Sequence, residues 1–147
     1  MYIALNKCFG GFGLSKEAKI MYMEQKYHKF YIYHRHDDEA NRVSLEDYNL
    51  INHFDDSLFF YITKKNYGDT VYLDRTVIED AFEDIDSLKF RSDKVLIDVI
   101  RKLGKKANGR FADIKLVNVP KELCEENKLY IDEYDGLETL HENHRIW

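Results

Sequence analysis

Proline is nearly missing from this chain: Pro120 is the only one in 147 residues. With 44% apolar and 33% charged residues, that excludes collagen-like, mucin-like and disordered classes. Cysteine is scarce too. Cys8 and Cys124 lie far apart without CxxC spacing, which fits neither a disulfide-dense secreted scaffold nor a common zinc pattern. Both are expected to be reduced thiols in a cytoplasmic protein. No apolar run approaches the ~20 residues of a membrane span. The opening MYIALNKCFGGFG also lacks the long apolar region of a signal peptide, so neither export nor a membrane partner is expected. An excess of positive charge is lacking as well, since 22 Lys+Arg stand against 27 Asp+Glu. A net charge of −5 disfavours a surface that tracks long nucleic acid, because such binding depends on cations displacing counterions from phosphates.

What is present fits one globular domain over residues 1–147, large enough to bury roughly 68–70% of its unfolded surface without metal or disulfide staples. Charge is uneven along it. Residues 1–54, 55–91, 92–120 and 121–147 carry net charges of 0, −4, +4 and −5, which sets a basic stripe between acidic stretches. Tyr2–Lys7 reads as a strand entering the glycine cluster Gly10, Gly11 and Gly13. Ser15 is a plausible N-cap for a helix reaching about Tyr27. Phe30–Arg35 alternates as a second strand, and residues 37–57 read as a loop with one short helical turn. Ser57–Lys65 and Thr70–Arg75 flank Asn66-Tyr67-Gly68-Asp69 and read as a hairpin. Glu79–Asp86 is acidic and exposed and reads as a short helix ending in a loop. Ser92 can cap a helix bearing Val95, Leu96, Val99, Ile100 and Leu103 and ending near Gly104. Asp113–Val119 and Leu129–Tyr134 read as strands, and Gly136 opens a brief helix from Leu137 to about His144. The expected class is α+β, a mainly antiparallel sheet covered by two main helices plus a short C-terminal helix. Eleven Tyr and nine Phe exceed what one small core needs, which points to a pocket or a subunit contact, and so to a homo-oligomer.

Three constellations could carry chemistry. Phe9, Gly10, Gly11, Phe12 and Gly13 stand between a strand and a helix start, where missing side chains let backbone N–H groups approach a phosphate. The spacing is neither GxGxxG nor GxxxxGK[ST]. A tight turn with Phe9 and Phe12 as core plugs, ligand contact, and Cys8 as a nucleophile therefore all stay open. Arg101, Lys102, Lys105, Lys106 and Arg110 gather around the end of the Ser92 helix, where they offset the helix dipole or bind an anion. There Asn108 supplies an amide, and Arg110 suits bidentate phosphate contact. Near the end of the sequence, Tyr134, Asp135, His144 and Arg145 suit ligand or subunit contact. The alternatives are a structural network of Tyr134, Asp135, His144 and Trp147, or metal binding by Glu138, His141 and His144 on one helical face. Adjacent carboxylates such as Asp37-Asp38, Asp55-Asp56 and Glu125-Glu126 read as solvated loops. No GxSxG or Ser-His-Asp pattern is recognisable, which makes an enzyme the weaker reading, with no catalytic residue, metal or cofactor assigned.

KCFGGFGLSKEA at 7–18, RSDKVLIDVIRKLGKKANGRFADIKLVNV at 91–119 and EYDGLETLHENHRIW at 133–147 together resemble a family of small phage and prophage proteins. Proteins of this kind are often counter-defence factors. The resemblance implies a protein that sequesters a cyclic nucleotide or cyclic ADP-ribose immune signal without cleaving it, as anti-Thoeris and anti-CBASS sponges do. The expected partner is thus a small phosphorylated nucleotide, held in the cytoplasm of a host bacterial cell. The alternatives are an acidic, anti-CRISPR-like inhibitor that binds a host defence protein and, more remotely, a small nucleotide-acting hydrolase.

Overall fold

The computed structural model describes residues 1–51, 59–81, 85–125, 128–142 and 145–146, with 124–125 and 145–146 described by their backbone. In chain order the elements are β1 (Tyr2–Asn6), α1 (Lys16–Tyr27), β2 (Tyr31–His36), β3 (Glu39–Val43), α2 (Leu45–Leu50), β4 (Phe60–Thr63), β5 (Thr70–Tyr72) and α3 (Arg75–Asp80). They continue with α4 (Leu88–Arg91), α5 (Lys94–Leu103), a 3-10 turn (Gly104–Ala107), β6 (Ile114–Asn118), α6 (Lys121–Glu125), β7 (Tyr130–Tyr134), β8 (Leu137–Glu142) and β9 (Arg145–Ile146). Every strand pairing among the described residues is antiparallel, so the class is α+β. Among the described helices α1 and α5 are the longest, with 12 and 10 residues. None is long and apolar enough to cross a membrane.

The chain divides into two compact units, Met1–Tyr22 with Asp84–Trp147, and Met23–Glu83. In the first, β1 pairs with β6 from Tyr2↔Asn118 to Asn6↔Ile114, and β8 lies between β7 and β9. Ile3, Leu5, Val119, Leu129 and Leu140 form a buried cluster, packed round by Leu88, Val117, Leu123 and Ile131. The helix expected from Ser92 forms as α5, and its apolar face of Leu96, Ile97, Val99 and Ile100 is buried. Its N-cap is Asp93, whose Oδ1 accepts from the Val95 N–H at 2.8 Å. Ser92 instead ends α4, its hydroxyl donating to the Leu88 carbonyl at 2.8 Å.

The expected short C-terminal helix is a strand. Asp135 (φ 50°) and Gly136 (φ 89°) both occupy the left-handed region and make a two-residue hairpin turn between Tyr134 and Leu137, and such a turn feeds a strand. Burial along β8 then alternates, with Glu138 and Leu140 pointing inward.

In the second unit the strand order is β4-β2-β3-β5. The expected hairpin across 66–69 therefore does not form, because β4 and β5 occupy opposite edges of the sheet. The hairpin is β2–β3, turning at Asp37 (φ 53°) and Asp38. Residues 37–51, expected as a loop with one short helical turn, thus hold a strand, β3, as well as the short helix α2. The 66–69 segment does turn. Asn66 Oδ1 accepts from the Gly68 N–H at 2.9 Å, and the buried Tyr33 hydroxyl donates to the Gly68 carbonyl at 2.9 Å and accepts from the Tyr67 N–H at 2.9 Å. Ser57 and Leu58 lie outside the described residues, as do 82–84 of the acidic stretch, whose first residues close α3.

Candidate functional site

Three connections of the first unit meet where β1 ends. Asn6 is fully buried and uses its whole amide there: Nδ2 donates to the carbonyls of Cys8 (2.8 Å) and Gly136 (2.7 Å), and Oδ1 accepts from the Asp113 N–H (2.8 Å). One side chain thereby ties the glycine loop to the β7–β8 turn and to the approach into β6. A Cβ on Gly136 would lie 2.4 Å from the Gly11 nitrogen and 2.7 Å from the Phe9 carbonyl oxygen. One on Gly10 would overlap the Phe111 carbonyl, and one on Gly109 would sit 2.9 Å from the Gly13 carbonyl carbon. Backbones pack that closely only where side chains are missing. Gly109 N–H donates to Gly13 O at 2.7 Å, and Ser15 N–H to Ala107 O at 2.9 Å, which completes the seam. Ser15 Oγ accepts from the Ala18 N–H (3.1 Å), as the cap reading expects, and donates to the Lys106 carbonyl (2.6 Å).

Beneath the loop lies a buried ion pair. Arg91, fully inaccessible, donates through Nη1 and Nη2 to the two carboxylate oxygens of Glu138 at 2.6 and 2.8 Å. Its Nη1 also reaches the Ala4 carbonyl (3.1 Å), its Nε donates to the Ile85 carbonyl, and the Phe12 ring covers the guanidinium at 3.5 Å. Glu138 Oε1 further accepts the Asn6 N–H at 2.8 Å. A buried charge pair persists when its geometry is bidentate and its remaining valences are met, as here.

Above the loop the surface is aromatic. Phe9 is 63% exposed, Phe111 58% and Tyr134 79%, and the Arg110 guanidinium stands 5.4 Å from the centre of the Phe111 ring. Among the described residues, none accepts a hydrogen bond from the N–H groups of Phe9, Gly10, Gly11, Phe12 or Gly13. A Cβ on Gly11, whose φ is 91°, would meet nothing within 4 Å. The loop thus borders open space on the α-carbon side of Gly11.

Of the residues singled out from the sequence, Phe9, Gly10, Gly11, Phe12, Gly13, Asn108, Arg110, Tyr134 and Asp135 all belong to this junction or to the turns that build it. Two assignments change. Phe9 is no core plug, and Phe12 spends its face on Arg91. Asn108 is structural in part, its Oδ1 accepting from the Ile114 N–H at 3.0 Å. Lys106 contributes its carbonyl to Ser15, and its side chain lies exposed. His144 and Trp147 lie outside the described residues, and Arg145 is placed by its backbone opposite Glu142. Asn6, Arg91 and Phe111 had no place in the sequence reading of this site, and Glu138 entered it only as a metal-ligand alternative. Only Phe111 carried a signal, as an aromatic directly after the Asn-Gly-Arg turn.

Other chemistry finds less support. The helical face proposed for Glu138 and His141 disappears once 137–142 is a strand, because residues three apart then point to opposite faces. Among the described residues no three His, Cys, Asp or Glu gather to hold a metal. Thr139 Oγ1 and Asp132 Oδ2 lie 2.7 and 3.8 Å from the same His141 nitrogen, Nε2, so they do not form the two-sided relay of a hydrolase triad. The Cys8 thiol donates to the Phe111 carbonyl at 3.1 Å and so holds the Arg110–Phe111 turn in place. In the second unit a separate open groove of about 460 Å³ is lined by Phe30, Tyr31, Leu45, Arg42 and Asp69, with Arg42 bound to Asp69 at 2.8 Å and to Asn66 at 3.0 Å. In comparison with known proteins, no family model, no curated protein and no solved structure matches the chain.

Proposed function

We propose that this protein binds and sequesters a small phosphorylated nucleotide, of the cyclic nucleotide or cyclic ADP-ribose kind, without cleaving it. It would serve as a phage or prophage counter-defence factor, acting as a homo-oligomer in the cytoplasm of a host bacterial cell. The observation that carries this reading is the junction itself. Five N–H groups with no acceptor among the described residues, exposed aromatic rings and Arg110 gather at the same three connections, and phosphate, base and charge require those three kinds of partner. The groups best suited to turnover are tied into the scaffold: the Cys8 thiol to Phe111 and the Glu138 carboxylate to Arg91. That arrangement favours holding a ligand over converting it. Native mass spectrometry of protein from its expression host tests the reading, followed by a panel of cyclic dinucleotides, cyclic trinucleotides and cyclic ADP-ribose isomers. A retained, chemically unaltered nucleotide is expected. An oligomer that ignores the whole panel would overturn the proposal.

A second reading draws on one observation of its own. Strand β7 is an edge strand that exposes Tyr130 and Tyr134 beside Asp132 and Glu133, an aromatic and acidic strip suited to a basic host defence protein. Salt-sensitive enrichment of one host protein in a pull-down, with no nucleotide retained, would favour it.

A further inference from the structure

We infer that Phe111 is the residue against which the base of the ligand stacks, with the Phe9–Gly13 N–H groups beside it taking the anionic group. This inference rests on the nucleotide reading and divides the labour within it. Of the phenylalanines that meet at the junction, Phe12 is committed downward, its ring covering Arg91 at 3.5 Å. Phe111 is 58% exposed, and a Cβ on Gly10 would lie 2.6 Å from the Phe111 Cβ, so the side chain leaves its backbone beside Gly10 of the glycine loop. Two features hold it there. Its carbonyl receives the Cys8 thiol at 3.1 Å, and the Ala112 N–H donates to Gly109 O at 3.1 Å, closing the turn that carries it. The Arg110 guanidinium lies over the ring, 5.4 Å from its centre, and puts positive charge on one face of the same platform. An aromatic face, an adjacent cation and a neighbouring row of N–H donors suit a base joined through its sugar to a phosphate. An inorganic anion would use only the donors and the charge.

The experiment uses the full chain and titrates the nucleotide panel, with inorganic pyrophosphate as a base-free probe, by calorimetry on wild type, Phe111→Ala, Phe111→Leu and Phe12→Leu. Thermal denaturation verifies the fold of each. Stacking is worth about 1–3 kcal/mol per base, so Phe111→Ala should weaken nucleotide binding roughly tenfold or more and leave pyrophosphate binding within about twofold. Phe111→Leu, which keeps apolar area but no π face, should also lose affinity. Phe12→Leu, which uncovers the Arg91 guanidinium, should lower the melting temperature. Nucleotide binding by wild type that is indifferent to Phe111→Ala overturns this inference alone, as does an equal loss of pyrophosphate binding. Failure of wild type to bind any nucleotide overturns the reading beneath it.

Discussion

At the scale of single residues, the largest consequences belong to side chains that never meet solvent. Removing one partner of a buried, hydrogen-bonded ion pair strands the other, which costs about 3–5 kcal/mol. Glu138→Ala leaves the buried Arg91 only the exposed Asp86 carboxylate at 3.8 Å and also frees the Asn6 N–H, so urea denaturation should show a loss approaching that size. The glycines divide sharply. Gly136→Ala combines a positive φ with a 2.4 Å approach to Gly11 and should cost upwards of about 1 kcal/mol, whereas Gly13→Ala, whose nearest neighbour would be 4.0 Å away, should stay within about 0.5 kcal/mol of wild type. Tyr67 sets a pH limit. Burial raises its pKa above the usual 10.0, helped by its hydrogen bond to Asp80 at 3.1 Å and the Asp80 charge. Above pH 10 the unfolded chain therefore loses this proton before the folded one, so its stabilising effect is complete below pH 10 and declines as pH rises further. Tyr67→Phe should flatten that alkaline decline in denaturation midpoints measured across pH.

At the scale of elements, the sequence showed its helices and strands more clearly than their pairing. β1, α1, β2, α5, β6 and β7 lie close to where periodicity and capping put them, because those signals are local. Turns misled in two places. Asn66 and Gly68 do form a turn, but β4 takes β2 as its partner, and local sequence does not encode the order of strands in a sheet. Asp135-Gly136 is a strong hairpin signal, read as a helix start, and it turns β7 into β8. The Val95–Leu103 helix was legible, with its cap displaced by one residue. Asp93→Ala should therefore cost about 1–3 kcal/mol in chemical denaturation, since Asp93 both caps α5 and accepts the Tyr22 hydroxyl at 2.9 Å. Ser92→Ala should cost less, as its hydroxyl only returns to carbonyls of α4.

At the scale of the whole molecule, charge pattern matters more than net charge. The chain carries −5 overall, and its basic stripe delivers Lys105, Lys106 and Arg110 to the turn beside the glycine loop. A nucleotide held there should bind more weakly as salt rises, because the Debye length shrinks from about 10 Å at 0.1 M to about 3 Å at 1 M. Affinity that stays flat across a salt titration would place the ligand away from the stripe.

The sequence by itself determined the α+β class, the strand–glycine–helix opening, the α5 face and the charge stripes, all of which follow from periodicity, composition and capping within a few residues. Only the tertiary structure decided that residues 6–13, 108–113 and 134–138 share one junction. Contacts of that kind join positions from 47 to 130 residues apart through the Asn6 amide, glycine-to-backbone packing and the Arg91–Glu138 pair. None of these leaves a periodic trace. A buried arginine and an exposed one read alike along a chain, and the difference arises only when a carboxylate, two carbonyls and an aromatic ring close round it.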